Sequence, residues 1–490
     1  MAEALKDKTV KGVGWSSVDA LLGQGITFVV GLVLARLLGP EEYGLIGIIT
    51  IFIAIFNSIV DSGFTNALIR KNDAKEIDYN TVFYTNMVIS IVLFCILFFT
   101  APIIADFFES PQLTSLIKVM SIVVVIDAFA IVQNVRLTKD IDFKTKTKVS
   151  LIASISSGVI GIVMAMMHYG VWSLVAQQLS RQLLNSSFLW IFNKWIPKFQ
   201  FSWRSFKDMF NFGWKLLVSG LLDTLWREVY QVVIGKCYSS QTLGQYTRAH
   251  QFSSLCSSNL TSIVQRVSYP ALSQLQDDKV RLKAGYKKII KLTMLVCFVL
   301  MLGMAAIAKP MIVVIIGTKW LPAVPFLQII CLQMMLYPLH ALNLNMLKVQ
   351  GRSDLFLILE IIKKTVAVIP IVLGIVFNIY YMLIASVFTG IFAYYLNAYY
   401  SGPFLGYSIK EQIKDILPSF FIALSAAIPT WLLSFLPISS LILLPMQLIL
   451  GALLTLVLCE WTNLPEYTEM KGMAISTIHE MMNRKDNRTH

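Results

Sequence analysis

The stretch WSLVAQQLSRQLLNSSFLW, residues 172–190, has the length of a membrane crossing and a tryptophan at each end, yet Arg181 stands at its middle. Gln177, Arg181 and Asn185 are four apart, so they stack on one side of a helix, with Gln178 and Gln182 beside them. A guanidinium is a planar fork of donors that suits phosphate or carboxylate. A charge at the bilayer centre costs about 2.5–3.5 kcal/mol even on insertion scales. This helix is therefore expected to line a polar cavity. The alternative is a structural arginine held by a carboxylate on a neighbouring helix.

Three other groups of polar residues interrupt apolar runs. Asp223, Trp226, Arg227 and Glu228 fall within one span, and Asp223 and Arg227 can pair at i, i+4. Either Arg227 takes a substrate phosphate with Asp223 or Glu228 as a switchable, ion-coupling partner, or the pair is purely structural. Glu360 can pair with Lys363 or Lys364. Those lysines either meet an anionic substrate or snorkel to the headgroups. Asp127, in VVVIDAFAIV, could bind a proton or, with partners, sodium, and is the first candidate for ion coupling. A hydrogen bond to an adjacent helix is the plainer alternative. Arg36, Arg248 and His250 are placed near the outer mouth, and Asp61 near the inner end of its span. The six cysteines are scattered, without metal-ligand spacing. No metal, cofactor or catalytic constellation is expected, and no connection is long enough to hold a catalytic domain.

The elements that must position these residues are membrane helices. The chain has 490 residues, 56% hydrophobic and 14% charged, whereas a soluble domain carries roughly 25% charge. Apolar runs long enough to cross a core of about 30 Å recur from end to end. The fold class is all-α membrane protein with about fourteen transmembrane helices. No cleavable signal peptide is visible, and the first span is expected to act as an uncleaved insertion signal.

Alternate connections concentrate Lys and Arg. One carries Arg136, Lys139, Lys144, Lys146 and Lys148, and another Lys279, Arg281, Lys283, Lys287, Lys288 and Lys291. The opposite side holds Arg36, Lys118, Lys236, Lys309 and Lys319. This bias places the rich side, and both termini, in the cytoplasm. It also accounts for the net charge of +13 without nucleic acid.

A Gly-Trp pair opens both the first span (14–15) and the seventh (213–214). Each is followed about 30 residues later by a related motif, LGPEEYGLIGIITIF and YSSQTLGQYTRAHQF, which align with Gly44 against Gly244. A duplicated six-span unit is a transporter plan with the substrate site near the midplane. The expected organisation is residues 1–200 and 201–405 as two pseudo-symmetric six-helix bundles around a central cavity. Residues 406–464 add two helices, and 465–490 form a cytoplasmic tail.

LARLLGPEEYGLIGIITIF (34–52) and DSGFTNALIR (61–70) resemble the opening of the bacterial polysaccharide (Wzx-type) flippases, which export O-antigen, capsule and exopolysaccharide precursors. GQYTRAHQF (244–252) and YPALSQLQDD (269–278) look like the second-half counterparts. These flippases belong to the multidrug/oligosaccharidyl-lipid/polysaccharide exporter superfamily. The resemblance implies movement of an undecaprenyl-pyrophosphate-linked oligosaccharide from the inner to the outer leaflet of the cytoplasmic membrane by alternating access. H+ or Na+ would be the candidate coupling ion, and polysaccharide polymerase or assembly proteins the candidate partners. The pyrophosphate and hydroxyls of such a head cannot cross hydrocarbon unaided. Cations for phosphate and amides for hydroxyls are what it needs, so Arg181, Gln177, Asn185, Arg227, Lys363 and Lys364 are the candidate substrate-binding residues. Asp127, Asp223 and Glu228 are the ion-coupling candidates. The alternative is a cation-coupled multidrug antiporter of the same superfamily. Such a pump is expected to favour acidic residues, whereas Arg and Lys are prominent in these spans.

Overall fold

The computed structural model describes residues 22–61, 63–71 and 73–486, all of it helix and connecting turns without a strand. The Gly14-Trp15 pair, Lys6, Lys8, Lys11 and Arg488 lie outside the described residues. Among the described residues, nine segments are long and apolar enough to cross a membrane, and the chain is a multi-pass membrane protein. Their outer faces carry large apolar side chains such as Phe99 and Ile103, 74% and 67% exposed, which is the surface that lipid covers. The described residues pack as two compact units, divided between residues 247 and 248.

The first unit runs α1 (Gln24–Leu37), α2 (Pro40–Asp61), α3 (Phe64–Arg70), α4 (Glu76–Phe107), α5 (Gln112–Met120), α6 (Ile122–Lys139), α7 (Phe143–Met166), α8 (Val171–Asn193) and α9 (Trp203–Cys237). The next helix, α10 (Ser240–Ser273), begins in this unit. α2 starts at Pro40, where a missing N–H costs no helical bond, and Glu41 and Glu42 in its first turn complement the helix dipole. α7 starts at Asp142, whose Oδ1 accepts from Thr145 N at 3.1 Å and whose Oδ2 accepts from the Thr145 hydroxyl at 2.7 Å. That cap brings Lys146 into the helix. α8 is longer than a span needs, but its amides and arginine make it more polar than the nine; α9 and α10 are likewise long and polar.

The basic connections meet at one end of this unit. Lys139 Nζ donates to the carbonyls of Leu68 and Lys71 at 3.2 and 2.7 Å. Trp195 Nε1 donates to Glu76 Oε2 at 2.8 Å, and Lys198 N to Asn80 Oδ1 at 3.0 Å. At the other end the starts of α2 and α10 cross. A Cβ on Gly44 would lie 1.8 Å from the Ser240 carbonyl oxygen, and one on Gly244 would lie 1.8 Å from that of Pro40. The contact is reciprocal, each glycine meeting the first residue of the other helix, so backbone touches backbone and only glycine fits at either position.

The second unit continues α10 and adds α11 (Lys279–Ala306), α12 (Ala308–Ile315), α13 (Ala323–Met334), α14 (Tyr337–Val349), α15 (Ser353–Val366), α16 (Val368–Val376), α17 (Ile379–Tyr399), α18 (Ser401–Leu405), α19 (Ile409–Leu432), α20 (Ser440–Trp461) and α21 (Pro465–Asp486). α15 ends at Val366, four residues before Pro370, because the proline ring clashes with the carbonyl at i−4. A buried polar network ties four of these helices. Tyr286 Oη donates to Asn343 Oδ1 at 2.7 Å, and Gln412 Nε2 donates to Ser401 Oγ at 2.8 Å and to Asn343 Oδ1 at 3.3 Å. The tail helix α21 docks on α11 through Lys291–Glu466 and Lys288–Glu469 ion pairs.

Candidate functional site

Four helical stripes of the first unit enclose a cavity of about 660 Å³. α2 and α3 contribute Ile53, Asn57, Asp61 and Thr65; α6 contributes Val123, Asp127, Ile131 and Asn134; α7 contributes Lys146, Ser150 and Ala153; α8 contributes Gln178, Arg181, Gln182 and Asn185. Each set repeats at three or four residues, which is one face of a helix. Only Ile53, Val123, Ile131 and Ala153 are apolar, so lipid cannot be the intended content. The stripes run from the middles of α2, α6 and α8 toward the end that carries the Lys- and Arg-rich connections.

The rotation of α8 is fixed from two sides. Trp190 Nε1 donates to the Phe129 carbonyl at 3.0 Å and Asn193 Nδ2 to Gln133 Oε1 at 2.6 Å, which anchors α8 on α6. Toward α7, Gln177 backs onto Gly161, whose Cβ would lie 2.7 Å from that of Gln177. Gln177 therefore packs the α7–α8 contact and lies outside the cavity lining, while Gln178 and Gln182 face the cavity. A four-residue step advances 40° beyond a full turn, so 177, 181 and 185 drift around the helix and only the last two face the space.

Asp127 is joined to α2 by Asn57 Nδ2, which donates to its Oδ2 at 2.5 Å. Asn57 Oδ1 is buried with no hydrogen-bond partner. A carboxylate and an orphaned carbonyl oxygen side by side are suited to a proton or a hard monovalent cation. No cluster of three or more His, Cys, Asp or Glu fit to hold a metal occurs among the described residues. Arg181 and Lys146 bring two positive charges to the same cavity, and five amides supply donors and acceptors for hydroxyls. The cavity brings two cations, Arg181 and Lys146, together with two carboxylates, Asp61 and Asp127.

The other candidates lie elsewhere. Arg227 is 71% exposed on α9, 3.8 Å from Glu228 Oε1 and 3.4 Å from Thr224 Oγ1; Asp223 is also exposed there. Arg227, Asp223 and Glu228 are not among the cavity's lining residues. Lys363, in the second unit, donates to Glu360 Oε1 at 2.5 Å, with Lys364 next to it on α15. Asn57, Asn134 and Lys146 escape a reading of spans one at a time. Asn57 and Asp61 do carry a signal, an i, i+4 polar pair in an apolar helix. Lys146 looks like a loop charge until the Asp142 cap is seen. His340 of α14, within 3.3 Å of Asn397 on α17, is a further buried polar pair that the spacing does not reveal.

A family described as "Polysaccharide biosynthesis protein" matches residues 33–325. Among curated relatives, the chain is similar to the teichuronic acid biosynthesis protein TuaB of Bacillus subtilis, 28% identical across 72% of this chain and 73% of that protein. It is also similar to the succinoglycan biosynthesis transport protein ExoT of Rhizobium meliloti, 26% identical across 68% and 67%. Among solved structures, the lipid II flippase MurJ in an inward closed conformation shares the fold, with TM-score 0.72 and 15% identity over 92% of this chain and 98% of that one.

Proposed function

This chain belongs to the polysaccharide biosynthesis protein family, and on that premise we propose that it is a flippase for lipid-linked oligosaccharide. It moves a polyprenyl-pyrophosphate-linked glycan from the inner to the outer leaflet of the cytoplasmic membrane for cell-surface polysaccharide synthesis. The observation that carries the reading is the polar stripe of α8, with Arg181 at its centre, lining a cavity that also holds Lys146. Two cations suit a pyrophosphate, and the surrounding amides suit sugar hydroxyls. The cavity extends toward the basic connections, which lie on the cytoplasmic side by the positive-inside bias, so the head loads from the leaflet where it is made. Asp127, backed by Asn57, is the coupling site for H+ or Na+.

The reading includes fourteen crossings, as two six-span repeats followed by two more. The reciprocal crossing of Gly44 and Gly244 supports the duplication, since a two-fold relation between repeats requires each to meet the other's equivalent position. A multidrug antiporter is the weaker reading, because the named relatives are polysaccharide biosynthesis proteins. The test is export in cells that depend on this gene. Arg181→Ala should abolish surface polysaccharide while protein level and membrane insertion stay normal. Wild-type export by that variant would show that this helix does not carry the substrate.

A further inference from the structure

At the end of the first unit away from the basic connections, three turns converge on a second open cavity of about 470 Å³. Glu41 and Glu42 reach it from the first turn of α2, Gln112 and Ser115 from the first turn of α5, and Tyr169 and Trp172 from the α7–α8 turn. That turn is the C-terminal cap of α7. His168 has φ +63° and Gly170 φ +56°. The conformation is pinned by His168 N to Ala165 O at 3.1 Å, Tyr169 N to Met164 O at 3.2 Å and Trp172 N to Tyr169 O at 3.2 Å. The two bonds to the Ala165 and Met164 carbonyls close the C-terminus of α7 in the manner common to helix ends. Here the result is two aromatic rings, 52% and 37% exposed, standing along the cavity.

The chemistry of the wall selects its ligand. Aromatic faces carry negative charge density and accept the C–H face of a pyranose. Carboxylates accept hydroxyl hydrogen bonds, and charge-assisted bonds are the stronger kind. Glu42 Oε2 already accepts from Gly39 N at 2.9 Å, so Glu41 and the second Glu42 oxygen are the acceptors facing a ligand. An amide and a hydroxyl add donors. The same two carboxylates repel phosphate, so the pyrophosphate end of a lipid-linked glycan is excluded.

We propose that this cavity is an outward-facing shelf that binds non-ionic sugar residues of the glycan, at the end distal to its phosphates. The proposal rests on the glycan reading and topology above. On the shelf, an emerging head group is held away from the phosphate subsite, which favours its release from Arg181.

The test uses the full chain in lipid nanodiscs on an array of neutral oligosaccharides. Sugar retention is expected, weakened about tenfold by Trp172→Ala and by Glu41→Gln, preserved in Trp172→Phe and preserved in Arg181→Ala. Trp172→Phe keeps a ring and guards against a folding defect in the alanine variant. No retention above empty nanodiscs overturns the proposal, as does retention indifferent to both Trp172→Ala and Glu41→Gln. Carboxylate-dependent binding of oligolysine or Ca2+ without any sugar overturns it in favour of a basic partner or a cation site. Binding of polyprenyl-pyrophosphate-linked sugar is measured on the same preparations. If that binding persists while the array is silent, only the shelf falls; if both are absent, the flippase reading falls with it.

Discussion

Gly44→Ala and Gly244→Ala test the crossing of α2 and α10 directly. Each adds a Cβ 1.8 Å from a backbone carbonyl oxygen, so the helices must separate by more than about 1 Å there. Overpacking costs about 1–3 kcal/mol, and a backbone obstacle has no side chain that can swing aside, so the upper part of that range applies. At about 2–4 °C per kcal/mol for packing units of this size, each single variant should unfold about 5–10 °C below wild type. The double variant carries the sharper expectation. One separation relieves both clashes, so its loss should be close to that of a single variant, with about 2–3 kcal/mol of non-additivity. Gly303→Ala in α11 is the control: nothing lies within 4 Å of its added Cβ, and Ala in a helix is favoured by about 0.5–1 kcal/mol. Thermal unfolding of detergent-solubilised protein at one scan rate reads all four. Single variants within about 1 °C of wild type, or losses that simply add, would refute the reciprocal contact.

Asp127→Asn should leave export running but insensitive to collapse of the proton and sodium gradients; an unchanged response of the variant would rule Asp127 out as the coupling site. Tyr286→Phe removes the donor to Asn343 Oδ1 and should cost about 1 kcal/mol in the same unfolding assay, and no change would mean the network is not a stability element. Outside the spans, the hydrogen bond and charge of Lys236 hold the Glu109 carboxyl below its ordinary value. A depressed carboxyl stabilises above its unfolded value and loses that contribution as pH falls through the folded one. The gap in stability between wild type and Glu109→Gln should therefore be present at neutral pH and close on acidification through the carboxylate range. A gap that widens in acid would contradict the pairing.

How much of this was legible in the sequence depended on whether one helix held the information. Apolar length identified a multi-pass helical protein, and the spacing of Arg181 and Asn185 marked one polar face. The alignment of Gly44 with Gly244 pointed to the two residues that meet across the crossing. What needed the structure was the choice of neighbours. Asn57 reaches Asp127 across 70 positions of chain, and no spacing rule joins them. Lys146 entered the cavity because Asp142 starts α7 early, so a loop charge became a lining residue. Gln177 and Gln178 are adjacent, and only the tight approach at Gly161 decides which of them faces inward. Arg227 stands beside Glu228 on α9, outside the lining of this cavity, and span composition alone does not show which cavity a residue joins. Periodicity gives a stripe, whereas the helix that packs opposite gives the stripe its meaning.

The central claim is that the cavity around Arg181 and Lys146 receives phosphate. The most direct measurement is equilibrium binding of a polyprenyl-pyrophosphate-linked sugar to purified protein, beside the same lipid without its phosphates. Phosphate-dependent binding is expected, weakening at least about tenfold in Arg181→Ala and measurably in Lys146→Ala, since a charged hydrogen bond contributes about 1.5–3 kcal/mol. Binding indifferent to the phosphates and equal in both variants, or binding only of organic cations, would contradict it.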